Sequence, residues 1–138
     1  MRRIIVDASV LLAGLFKEGV VRDILLNFED AEFLAPSYIR EEVERHIQDV
    51  VSRTGKPEAT VRAVLDDLFA AIDLVPPEAY SGSMEEARGL ARSARAFGDE
   101  DYIALALALD APVWTLDRDF RRTSAIKTLP TSEIEQAE

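Results

Sequence analysis

The chain opens on a short β-branched run, Arg3-Ile4-Ile5-Val6, that ends abruptly at Asp7. An apolar stretch of this length without polar alternation predicts a strand buried on both faces. Helical patterning follows from Ser9 to Phe16 and from Val20 to Phe28, interrupted near Gly19. Glu32-Phe33-Leu34-Ala35 predicts a second strand, closed by Pro36. Ile39, Val43, Ile47 and Val50 then recur at helical spacing, which predicts one helix from Ser37 to about Val51. Ser52 to Pro57, with Gly55 and Pro57, is a turn segment. A helix from about Glu58 to Ala71 leads into the strand Ile72-Asp73-Leu74-Val75, stopped by Pro76-Pro77.

The second half repeats the alternation. Met84 to Phe97 is helical, Gly98 breaks the pattern, and Asp99 to Leu109 starts a new helix. Pro112-Val113-Trp114-Thr115 predicts a strand, Arg118 to Arg122 a short helical turn, and Ile126-Lys127-Thr128-Leu129 a last strand. The tail after Pro130 reads as a fraying helix. Strands that alternate with helices imply a mostly parallel sheet covered on both faces. The expected fold is therefore α/β, a three-layer α/β/α sandwich, formed as one domain over residues 1–138 without repeats or low-complexity tracts.

Composition narrows the function classes. Apolar residues make up 48% and charged residues 30%, the balance of a soluble globular protein. No apolar run approaches the ~18 residues of a membrane span, and the N-terminal run is too short for a signal peptide core. With no cysteine, disulfides and thiolate metal sites are excluded. A cytoplasmic protein is the expectation. The net charge of -10 argues against holding nucleic acid by bulk electrostatics, yet it is compatible with a nuclease whose acids gather at a metal site. Arginines do cluster locally. Arg118, Arg121 and Arg122 follow one acidic motif, while Arg88, Arg92 and Arg95 form a helical stripe that reads first as solvated surface.

In open parallel sheets, ligands bind beyond the carboxyl ends of the strands. Asp7 follows the first strand there, and Asp117, with Asp119 two residues on, follows the Trp114 strand. Either acid alone reads as a turn residue or a helix N-cap. Together they form a crowd of like charges that calls for a cation. In the helix from Ser37, Glu42 and Glu44 flank the apolar face and Glu41 points away, so helical geometry leaves Glu42 and Glu44 open. Asp99, Glu100 and Asp101 lie at the start of a helix, where negative charge suits the positive helix end. The Ala104-Leu105-Ala106-Leu107-Ala108-Leu109 run behind them has no polar face, so that helix end opens into an internal cleft.

Val6-Asp7-Ala8-Ser9-Val10-Leu11-Leu12 resembles the opening motif of PIN domains, the nuclease fold of VapC-type toxins. Asp99 to Leu107, followed by Trp114-Thr115-Leu116-Asp117-Arg118-Asp119-Phe120, resembles that family's C-terminal half. Pro36 to Val43 is similar to its middle motif. The resemblance implies catalytic acids at Asp7, Glu42, Asp99 and Asp117, with Asp101 and Asp119 as auxiliary candidates. Asp7, Asp99 and Asp117 would be the metal ligands. Oxygen ligands without His or Cys favour hard cations, so Mg²⁺ or Mn²⁺ is expected. Ser9 or Thr115 is a candidate holder of a metal-bound water, and Arg118, Arg121 and Arg122 are candidate binders of substrate phosphates. The resemblance further implies hydrolysis of RNA, a cognate antitoxin partner and a homodimer.

Other readings fare worse. A phosphoacceptor receiver domain needs acids around the first strand, where Arg2-Arg3 stand, and a mid-chain acceptor Asp that nothing matches. A non-catalytic PIN-like binding module is expected to have lost some of the acids, and a housekeeping RNA-processing nuclease would share them all. His46 is the only histidine, so an acid–base pair of histidines is excluded, and His46 itself reads as helix surface.

Overall fold

Strand β1 (Arg2–Val6) is buried on both faces across Ile4, Ile5 and Val6, and it forms the centre of a five-stranded sheet in a computed structural model of the protein. The structure describes residues 1–96, 98–118, 120, 123 and 125–135. β2 (Ala31–Pro36) and β3 (Asp73–Val75) lie in turn on one side of β1, and β4 (Val113–Trp114) and β5 (Thr128–Leu129) on the other. All four pairings are parallel, with Ile4 opposite Phe33 and Val6 opposite Trp114. The chain thus builds outward from β1 to β3, then returns across the sheet to begin again at β4. The point where that direction reverses, between β1 and β4, is where an open α/β sheet leaves a crevice for ligands.

Helices cover both faces, as the continuously apolar strands require. α1 (Ala8–Phe16), α2 (Val20–Asn27), α4 (Ile47–Thr54) and α5 (Glu58–Ala70) pack on one another. α3 (Ile39–Glu44) joins them against α1. α6 (Met84–Ala94) pairs with α7 (Glu100–Leu109), and α7 lies against β1 and β2. This is the three-layer α/β/α arrangement that the patterning predicts. Tyr102 to Ala106 are buried without a break, whereas Leu107 and Leu109 are half-buried and Ala108 is exposed, so the apolar run at the end of α7 is fully buried only in its first half. Among the described residues, no helix is long and apolar enough to cross a membrane.

Several element boundaries differ from the patterning, each for a local reason. The helix expected from Ser37 to Val51 is two, because the His46 amide bonds back to Val43 (2.9 Å), a tighter three-residue step that separates α3 from α4. The apolar stripe of Ile39, Val43, Ile47 and Val50 runs through the break fully buried, so periodicity does not register it. α4 continues to Thr54, within the expected turn, and Gly55 ends it in the left-handed conformation (φ 69°). α6 stops at Ala94 rather than Phe97. Arg95 adopts φ 56° and the Ala96 amide bonds to Ala91 (2.8 Å), a Schellman closure that a non-glycine residue conceals in the sequence. The tail past Pro130 makes a 3-10 turn over Thr131–Glu133 instead of an α-helix, pinned where Arg2 donates to the Ile134 carbonyl (3.0 Å). The helical turn expected around Arg118 to Arg122 falls partly outside the described residues, as do Asp119, Arg121 and Arg122 themselves.

Candidate active site

Asp7 stands at the β1–β4 reversal point and is 3% exposed. It leaves β1 in an extended conformation and caps α1, its Oδ1 accepting the Val10 amide (3.2 Å). The N-cap reading of this residue is therefore correct, but it describes only part of the carboxylate. Oδ1 also accepts the Ser9 hydroxyl (2.6 Å), and Oδ2 accepts a short hydrogen bond from the Thr115 hydroxyl, which follows β4. Thr115 Oγ1 in turn accepts the Asp117 amide (3.0 Å), and Ser9 Oγ accepts the Leu116 amide (3.0 Å). Two hydroxyls thus tie the end of β1 to the turn after β4 and set Asp117 near Asp7. Both donate their protons to Asp7, which makes them positioning groups for that carboxylate.

Glu42 approaches from α3. Glu42 and Glu44 have different surroundings: Glu44 is an exposed partner of Arg62 (2.8 Å), whereas Glu42 is half-buried. Its Oε1 accepts the hydroxyl of Tyr102 on α7 (2.5 Å). A buried tyrosine needs a partner for its hydroxyl. That requirement was the one available signal for Tyr102, and patterning alone does not name the partner.

Asp99 heads α7, yet its side chain caps nothing and makes no hydrogen bond among the described residues. Asp101, two residues on, is occupied: its Oδ2 accepts the Tyr80 hydroxyl (2.5 Å). Two residues apart, about 200° around a helix, the two acids meet different surroundings.

Electrostatics links the four acids. Burial pushes the Asp99 carboxyl up to about 8, and the charges of Asp7, Asp117 and Glu42 add to the rise. Burial likewise raises Asp7 above the usual carboxylate range, against the hydrogen bonds from Ser9, Thr115 and Val10, with Asp117 adding repulsion. Glu42 is raised by burial, opposed by the Tyr102 hydroxyl and reinforced by Asp7. Each acid feels at least one of the others, so they form one mutually repelling group at the sheet's carboxyl edge. Among the described residues, no three acids already converge tightly enough to grip an ion. The donor set is nevertheless all-oxygen, anionic and partly desolvated, and Asp99 presents a carboxyl group with no hydrogen-bond partner among the described residues. Those features fit a hard divalent cation.

A family model described as PIN domain matches residues 5–137. The chain belongs to the PIN-domain family. PIN domains are generally nucleases, and they generally depend on divalent metal ions. Solved structures of similar fold include VapBC2 from Rickettsia felis bound to a DNA fragment from its promoter, at 12% identity and a TM-score of 0.68, covering 93% of this chain and 98% of that one. Another is PAE2754 from Pyrobaculum aerophilum, at 17% identity and a TM-score of 0.68, covering 97% of this PIN domain and 87% of that chain. A comparison with curated protein sequences gives no match.

Proposed function

We propose that this PIN domain is a Mg²⁺- or Mn²⁺-dependent endoribonuclease, and that it serves in the cytoplasm as the toxin of a type II toxin–antitoxin pair. The observation that carries the nuclease reading is Asp99. A half-buried carboxyl pushed up to about 8 by burial and by Asp7, Asp117 and Glu42, with no hydrogen bond of its own among the described residues, is an unfavourable arrangement in isolation. A bound cation turns that repulsion into attraction. Asp101, two residues on, differs in having a partner in place, the Tyr80 hydroxyl.

Asp7, Asp99 and Asp117 are the residues that would hold the cation. When bound, it would make a water acidic enough to attack at neutral pH and offset charge on the phosphodiester. The chain's own groups supply the rest. Ser9 and Thr115 fix the Asp7 carboxylate so that it does not rotate away. Tyr102 holds Glu42 Oε1 and leaves Oε2 to accept a proton from the attacking water. Water then adds at phosphorus, the bond to the 3′ oxygen breaks, that oxygen takes a proton from solvent, and the products are a 5′-phosphate and a 3′-hydroxyl. Arg118, exposed one residue after Asp117, is suited to hold a substrate phosphate at the rim.

The toxin assignment rests on the similarity in fold to a toxin–antitoxin complex, VapBC2, across nearly the whole of both chains. It carries with it an antitoxin partner and a homodimer. The decisive test of the nuclease reading is incubation of purified protein with a generic single-stranded RNA, with Mn²⁺ and with chelator. Cleavage to 5′-phosphate ends that stops on chelation is expected. RNA left intact in Mn²⁺ would instead favour a PIN module that binds without cutting.

A further inference from the structure

The arginine stripe on α6 has a specific neighbourhood. Met84, Arg88 and Arg92 occupy successive turns of that helix and line one wall of a groove of about 410 Å³. Glu100 and Asp101, from the first turn of α7, line the other. Arginines facing acids across a groove would ordinarily pair with them, but these acids are engaged elsewhere. Glu100 turns back to accept the Gly98 amide (3.2 Å), and Asp101 accepts the Tyr80 hydroxyl (2.5 Å). Neither Arg88 nor Arg92 makes an ion pair among the described residues, although Arg62 elsewhere on the chain is held by both Glu44 and Glu58 (each 2.8 Å). Both guanidiniums are exposed, one helical turn apart, on a chain of net charge -10.

The groove's acidic wall lies near the candidate active site: Asp99 immediately precedes Glu100 at the head of α7, and the charges of Glu100 and Asp101 act on Asp99 and Glu42 respectively. We propose that Arg88 and Arg92 form a subsite for RNA backbone phosphates flanking the scissile bond, which lead the strand from the acid cluster along α6. This rests on the nuclease reading above and extends it to substrate length. An arginine fork binds phosphate with parallel N–H donors, and two forks a turn apart serve two phosphates better than one. An acidic protein segment is the competing occupant. RNA is favoured because the groove adjoins the cluster that would cut it.

The test compares the Arg88→Gln/Arg92→Gln double variant with the parent and with an Arg53→Gln control. Arg53 is exposed on α4 and paired with Asp49, so it reports a generic loss of positive charge. A twelve-nucleotide single-stranded RNA should be cleaved by the double variant with KM raised tenfold or more and kcat retained. The slope of log affinity against log salt should flatten by about 1.4, roughly 0.7 for each lost phosphate contact on a single strand. A dinucleotide substrate, which has no flanking phosphates, should be cleaved equally by the parent and the double variant. An unchanged KM and salt slope, or a loss no greater than that of Arg53→Gln, overturns the subsite. So does a double variant that keeps its RNA affinity while losing affinity for a poly-glutamate peptide, which would make the groove a protein-docking site. If the parent itself cleaves no RNA, the nuclease reading fails first and the subsite falls with it.

Discussion

Thr115 donates its hydroxyl proton to Asp7 across the boundary between β4 and β1, and the same oxygen accepts the Asp117 amide. Thr115 is fully buried, so nothing in solvent can replace either bond. Thr115→Val keeps the shape and removes the hydroxyl. It should cost about 1.5–3 kcal/mol, the range for hydrogen bonds to a charged group. Urea unfolding at pH 7 reads this loss directly, and Thr115→Ser should restore most of it. A valine variant as stable as the parent would mean that the bond contributes nothing.

Asp99 and Asp7 should respond oppositely to neutralisation. Asp99 has no hydrogen-bond partner among the described residues and is repelled by its neighbours, so Asp99→Asn should raise Tm in chelator. Asp7 accepts from Ser9, Val10 and Thr115, and an amide nitrogen cannot accept from any of them. Asp7→Asn should therefore fail to stabilise, despite removing a charge. Thermal unfolding of both variants in chelator checks the contrast. Equal behaviour would show that hydrogen bonding does not distinguish the two sites.

The raised Asp99 carboxyl makes stability depend on pH. Its unfolded value is the ordinary 3.8 and its folded value about 8, so between these the folded protein holds a proton that the unfolded chain has released. Stability without metal should fall as pH rises through that window. Saturating Mn²⁺ should oppose the fall, and at about 100 times its dissociation constant the gain would be ~2.7 kcal/mol, several degrees in Tm for a chain of this size. Unfolding from pH 5 to 9, with chelator and with Mn²⁺, gives the test. Stability that rises with pH in chelator would contradict the shift.

Much of this was legible in the sequence, for identifiable reasons. β1 and α7 declare themselves because the buried stretches Ile4–Val6 and Tyr102–Ala106 leave runs without polar alternation. Asp7 and Asp117 follow from strand ends in a parallel sheet. What stayed hidden depends on groups far apart in the chain. Tyr102 is 60 residues from Glu42, and Thr115 is 108 from Asp7. No local pattern records such pairings. The breaks at His46 and Arg95 were hidden because neither residue is the glycine or proline that ordinarily marks a helix end.

Asp101 should prove structural. With its Oδ2 on the Tyr80 hydroxyl, Asp101→Asn and Tyr80→Phe should each cost about 1 kcal/mol in stability. Mn²⁺ affinity by calorimetry should change less than threefold in either variant. A loss for Asp101→Asn that exceeds the loss for Asp99→Asn would reverse the assignment of the third acid.

The central claim is that Asp7, Glu42, Asp99 and Asp117 act as one cation-dependent centre for RNA hydrolysis. Asp99→Asn is the variant to measure, because among the described residues that side chain makes no hydrogen bond whose loss would disturb the fold. Single-turnover cleavage of RNA in Mn²⁺ should fall at least a hundredfold in this variant, while its Tm in chelator matches or exceeds the parent's. Cleavage at the parent rate, by a variant that is equally well folded, would contradict the account.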